Sequence, residues 1–143
     1  MKKSPNRRIP AFLIALALLV LIVAPVAAQT YAFQIPQEIV HVYWEENGTA
    51  SISYTFTFYN ESYADPIDYV DVGMPNPYFN INLAYAEING EEIYHIANSI
   101  YVENGIELGL GSREIPAGKT GTVYFEISGI SNLLYTDADD SDY

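Results

Sequence analysis

Ala50-Ser51-Ile52-Ser53-Tyr54-Thr55-Phe56-Thr57-Phe58 alternates without a break, apolar or aromatic at every even position and Ser or Thr at every odd one. Successive side chains on a strand point to opposite faces, so this stretch predicts a half-buried strand with its even residues, Tyr54 among them, on a core and its odd residues in water. A helix would scatter the same residues all round its axis.

Working outward, three Asn-Gly pairs, Asn47-Gly48, Asn89-Gly90 and Asn104-Gly105, each lie between apolar runs. Asn-Gly supplies the two positive φ values of a type I′ turn, so three hairpins are expected. They join Ile39–Trp44 to Thr49–Tyr59, Ile81–Ile88 to Glu91–Ala97, and Ser99–Glu103 to Ile106–Leu110. A further strand, Ile67–Met74, ends at Pro75-Asn76-Pro77, which no central strand accommodates. The last, Thr122–Ser128, puts Val123, Phe125 and Ile127 on one face behind the turn Pro116-Ala117-Gly118. Seven or eight short strands with no helical-period window predict an all-β fold: an antiparallel, immunoglobulin-like β-sandwich, with a partly open barrel as the alternative.

Residues 1–28 read differently. Four cations precede an unbroken apolar run from Ala11 to Val23, then Pro25 and small residues as far as Ala28. This is the order of a secretory signal helix, with cleavage expected between Ala28 and Gln29; an uncleaved anchor is the alternative, since 18 residues just span a bilayer. Arg7-Arg8 is followed by Ile9-Pro10, which departs from the twin-arginine pattern and favours the general export route. The expected organisation is a signal at 1–28, a β-sandwich at 29–130, and an acidic tail or the start of further sequence at 131–143.

Of 143 residues, 18 are acidic and six are Lys or Arg, a charge of −12. Four of the six cations fall in the first ten residues, so beyond the signal only Arg113 and Lys119 remain, at −16. Such a domain has no basic stripe with which to neutralise phosphates, which argues against nucleic-acid binding and leaves the membrane to an uncleaved N-terminal segment or to sequence beyond Tyr143. With no cysteine there is no disulfide, thiolate nucleophile or zinc ribbon, although export would place the domain where disulfides form. The fold rests on its core.

The strand ending in Glu-Asn-Gly-Thr-Ala, the run Pro66-Ile67-Asp68-Tyr69-Val70-Asp71-Val72-Gly73-Met74-Pro75, and Ile115-Pro116-Ala117-Gly118-Lys119-Thr120-Gly121 together resemble the N-terminal portion of a group of uncharacterised bacterial envelope proteins. They are also similar to the amino-terminal β-sandwich of a family of membrane proteins of unknown function. The resemblance covers nearly all of residues 30–143 and implies a fold, an envelope location, and relatives that continue with more strands. It carries no chemistry.

The chemistry-bearing residues are few. His41 and His95 sit on strands outside any catalytic or metal motif, and read as structural. Glu45-Glu46 and Glu91-Glu92 are neighbours, and Asp68 and Asp71 are three apart, so each pair points to opposite faces of a strand rather than across a cleft. Gly109-Leu110-Gly111-Ser112-Arg113-Glu114 lacks the third glycine of a phosphate loop, and Gly118-Lys119-Thr120 lacks the upstream glycine of a P-loop. Asn47-Gly48-Thr49 and Asn60-Glu61-Ser62 match the glycosylation sequon, but the first already reads as a turn and the signal looks bacterial.

One cluster has the spacing of an ion site: Asp137, Asp139, Asp140 and Asp142 offer carboxylate oxygens to calcium, though without the glycine and bidentate acid of an EF-hand. A solvated acidic tail is the plainer account. The 13 tyrosines and Trp44 suit a recognition face for glycan or protein as well as strand packing. The expected function is therefore a non-catalytic extracytoplasmic module of the envelope with a structural or adhesive role and no cofactor. The alternatives are an accessory domain of a polysaccharide-acting enzyme and a calcium-stabilised adhesion module.

Overall fold

The computed structural model describes residues 29–134. They fold as eight antiparallel strands: β1 Phe33–Trp44, β2 Ala50–Asn60, β3 Tyr69–Gly73, β4 Ala84–Ile88, β5 Glu91–Glu92, β6 His95–Asn98, β7 Gly105–Gly109 and β8 Thr120–Ile130. The larger sheet runs β1-β2-β8-β4-β5 and the smaller β3-β7-β6. The all-β expectation and the number of strands agree with this arrangement. The signal helix and Ala28 lie outside the described residues, and Gln29 is exposed at their start.

One apolar cluster joins the two sheets. The larger contributes Ile52 and Phe58 from β2, Ala86 and Ile88 from β4, and Val123, Phe125, Ile127 and Ile130 from β8; the smaller contributes Val70, Val72, Ile106 and Leu108. The alternation predicted for β8 holds, with Val123 and Phe125 at 0% exposure. Full burial of one such side chain contributes about 1.5–3 kcal/mol.

Asn60 fastens the end of β2 from within. It is wholly buried, and its Nδ2 donates to the Asp65 and Ile115 carbonyls, each at 2.9 Å. Its backbone N–H donates to the Lys119 carbonyl, while Gly118 N–H donates to its own carbonyl. Ile67 and Ile115, just beyond, exchange backbone hydrogen bonds at 3.0 and 2.9 Å.

The turns follow the Asn-Gly reading unevenly. Asn89-Gly90 is the expected two-residue turn, with φ of 53° and 82° joining β4 to β5. At Asn47-Gly48 only the glycine has positive φ, and the hairpin closes through a five-residue loop in which Asn47 Oδ1 accepts from Thr49 N–H at 3.0 Å. The third hairpin exists with different strands: Ser99–Glu103 is its loop and β6, His95–Asn98, is its first strand. Ser99 Oγ accepts from the N–H groups of Tyr101 and Val102, which turns the chain where the apolar pattern alone suggests a strand. Gly105 then begins β7, and a Cβ there would lie 2.6 Å from Val102 Cβ.

Two further boundaries move. Ile81–Leu83 forms a 3-10 turn because Asn80 Oδ1 caps Asn82 N–H at 3.1 Å. The run Glu91–Ala97 is divided, Glu91–Glu92 belonging to the larger sheet and His95 onward to the smaller, with buried Ile93 at the crossing.

Candidate functional site

β1 stands apart from the other long strands among the described residues: all twelve of its residues are exposed, whereas β2 and β8 each bury alternate side chains. It begins six residues earlier than the sequence pattern suggests, because Pro36, a strand breaker in a central position, sits at a bulge between Gln34 and Gln37 on an edge that has no further neighbour. β1 is the edge of the five-stranded sheet, opposite a sheet of only three strands, and its inward face stays exposed.

Register identifies that face. Val42 pairs with Ile52, Val40 with Tyr54 and Glu38 with Phe56, so these β1 residues share the side of β2 that enters the core. Above the bulge Phe33 and Ile35 take the same side, and Phe33 meets Phe58 edge-on at 5.6 Å. Tyr54 and Phe56 are correspondingly half-buried, stacked at 5.5 Å, whereas Phe58 further in is covered.

Between this face and β3 runs an open apolar groove of about 290 Å³, lined by Phe33, Ile35, Phe56, Phe58 and Ile67 and, along the edge of β3, by Tyr69, Val70 and Asp71. Tyr31 closes one end. Its hydroxyl donates to Asp68 Oδ1 at 2.6 Å and its ring meets Tyr69 edge-on at 5.7 Å, while Tyr69 stacks on Tyr101 at 6.0 Å. Burial, then the hydrogen bond to Asp68, pushes the Tyr31 phenol well above its usual range. Tyr69 is raised too, by burial and by the neighbouring Tyr101, Asp71 and Asp68. Asp71 Oδ1 is shielded from solvent and accepts no hydrogen bond.

The opposite face of the larger sheet is polar. Tyr43, Ser51, Ser53, Tyr124 and Glu126 line a shallow depression there. Tyr124 donates to Glu126, and Tyr85 donates to Glu87 at 2.5 Å. The Tyr85 phenol is pushed up to about 12 chiefly by that bond, and Tyr124 is raised for the same reason.

The sequence-predicted candidates disperse over this frame. His41 stands exposed on the polar face of β1, 6.1 Å from the Tyr43 ring, and His95 Nε2 lies 3.2 Å from Glu107 Oε1 on the smaller sheet. Arg113 Nη1 reaches Glu91 Oε2 at 3.4 Å, and Glu45 accepts from Ser51 Oγ at 3.4 Å. Gly109 ends β7, Gly111–Arg113 is a 3-10 turn, and Gly118, at φ 68°, turns the chain toward β8. Asp137, Asp139, Asp140 and Asp142 lie outside the described residues, among which no group of three or more His, Cys, Asp or Glu side chains converges. No helix among the described residues is long and apolar enough to cross a membrane. Sequence reasoning missed the groove, since no local pattern reveals that one sheet is two strands wider than the other.

No family model, curated protein or solved structure matches the chain.

Proposed function

We propose that the chain is a non-catalytic, exported module of the bacterial envelope, an immunoglobulin-like β-sandwich that holds a protein partner against the open inward face of β1 and β2. The carrying observation is the apolar side of β1: Phe33 and Ile35 line the groove, Val40, Val42 and Trp44 continue the same face beyond it, and all five are 42–56% exposed. Contiguous apolar surface of this kind, rimmed by polar residues, is a mark of recognition. The secretion pattern of residues 1–28 and the resemblance of the turn motifs to envelope proteins support the location.

A glycan is the second reading, favoured by Tyr43 and Tyr124 beside Glu126 on the polar face. Purified envelope proteins and polysaccharides titrated onto the immobilised protein separate the two: Ile35→Glu abolishes capture at the groove and Tyr124→Ala abolishes capture at the polar face. Turnover of any polysaccharide that disappears on substituting a carboxylate overturns both. Retention of residues 1–28 in the intact mass of the purified product overturns signal cleavage.

A further inference from the structure

The smaller sheet is two strands narrower than its partner, and its edge strand β3 presents an unused backbone beside the groove. Leu110 N–H donates to the Asp68 carbonyl, and Met74 N–H donates to the Asn104 carbonyl. Because hydrogen-bonded pairs alternate along an antiparallel ladder, Val70 and Val72 also turn their backbone groups to β7. Tyr69, Asp71 and Gly73 therefore direct theirs the other way, along the groove. The same alternation applies to β1: Glu45 N–H donates to the Thr49 carbonyl, so Glu38, Val40, Val42 and Trp44 turn their backbone groups away from β2. That edge carries the usual protections, Pro36 at a bulge and an inward-facing charge in Glu38. β3 has neither, and it has the groove beside it.

Resting on the binding-module reading above, we propose that the free edge of β3 accepts an extended segment of another protein, alternating apolar and basic side chains, as a fourth strand of the smaller sheet. Strand addition takes affinity from main-chain hydrogen bonds and specificity from pockets for alternate side chains. Here the residues opposite Val70 and Val72 enter the groove against Phe33, Ile35, Phe56 and Phe58. The residues opposite Tyr69 and Asp71 lie on the outer face of the sheet. The carboxylates nearest to them there belong to Asp71 and, across from it on β7, Glu107.

Charge selects the occupant. None of the four edge strands, β1, β3, β5 and β6, contains Lys or Arg, and beyond residue 28 the chain stands at −16. A second copy would bring acid to acid, whereas a basic alternating strand meets it with the opposite sign.

The test uses the protein purified from an exporting host and a fluorescent peptide of about nine residues alternating Val and Lys, long enough to flank a strand of ordinary length. Controls are the same composition in two blocks and an alternating Val-Glu peptide. The alternating basic peptide binds at least about tenfold tighter than either control, weakens with salt, and slows hydrogen exchange at the amides of Tyr69, Asp71 and Gly73. Ile35→Glu, at an exposed position, weakens it by about tenfold with no change in Tm. Asp71→Pro removes an N–H that no ladder bond uses and has the same effect on binding.

Equal binding of the three peptides, protection at Val40 and Val42 instead of β3, or a dimer whose formation expels the peptide would overturn the proposal. Any of these outcomes with retained, Ile35-sensitive capture of an envelope protein refutes strand addition alone; polysaccharide turnover refutes the parent reading.

Discussion

β1 and β8 have nearly the same length, twelve and eleven residues, and both carry apolar side chains in alternation. In β8 the alternate residues Val123, Phe125 and Ile127 are 0–1% exposed, while in β1 no residue is buried. The difference lies in the neighbours. β8 has a strand on each side and the smaller sheet across from it, whereas β1 has β2 alone. Hydrophobic alternation specifies which face of a strand is apolar, and the opposing layer decides whether that face is buried.

The contrast is most strongly exposed to failure at Phe125. Phe125→Ala removes a wholly buried ring from the centre of β8 and should cost about 3–5 kcal/mol in denaturant unfolding. A loss no larger than that of an exposed β1 residue would mean the two strands are not different in kind.

Asn60→Ala comes next. It strips the Asp65 and Ile115 carbonyls of their buried donor, and a loss of about 2 kcal/mol is expected from the same measurement. Asn60→Asp should cost at least as much, because it exchanges that donor for a charge in a site with no cation.

Alkaline pH probes the open flank. Tyr31 and Tyr69 hold their protons more tightly in the folded protein than an ordinary phenol at 10.0, chiefly through burial. Folded pKa values above the unfolded one contribute stability that is complete below pH 10 and is lost as the pH climbs toward the folded values. The denaturant midpoint should be level up to about pH 10 and then decline, and Tyr31→Phe should make the decline shallower. A midpoint that falls no more steeply than that of the Tyr31→Phe variant would show that the Tyr31–Asp68 contact does not tie the start of β1 to β3.

Smallest of all is Val42→Thr. The site is 47% exposed and threonine suits a strand equally well, so the change should stay within about 0.5 kcal/mol. A loss several times larger would place a hidden partner over β1 in the free protein.

What could be read from residues alone followed the range of the interactions involved. The Ala50–Phe58 alternation located β2 to within one or two residues at each end, and Asn89-Gly90 yielded its turn, because both depend on neighbours in sequence. Ser99–Glu103 resembles a strand in apolar content, yet Ser99 Oγ captures two backbone N–H groups and makes it a loop. Pro36 masked the first half of β1, since proline is tolerated there only because the strand is an edge. The groove depends on a count of strands in two sheets, and no window of sequence contains that. His41 and His95 carry no catalytic or metal motif in the sequence; in the fold His41 lies on the polar face of the larger sheet and His95 beside Glu107 on the smaller.

The order β1-β2-β8 also determines how the domain bears load. Phe33 pairs with Asn60 at one end of the sheet, and Ala50 pairs with Ile130 at the other, so the chain enters the sheet at one end and leaves it at the opposite one. Tension applied through the chain before Phe33 and after Ile130 is directed along the strands. Neighbouring strands must then slide past each other, and the ladder bonds on both sides of β2 resist together instead of opening one after another. Asn76 Nδ2, bound to the Ser131 and Asn132 carbonyls at 2.8 and 3.1 Å, ties the exit point to the opposite layer and spreads that load across the core.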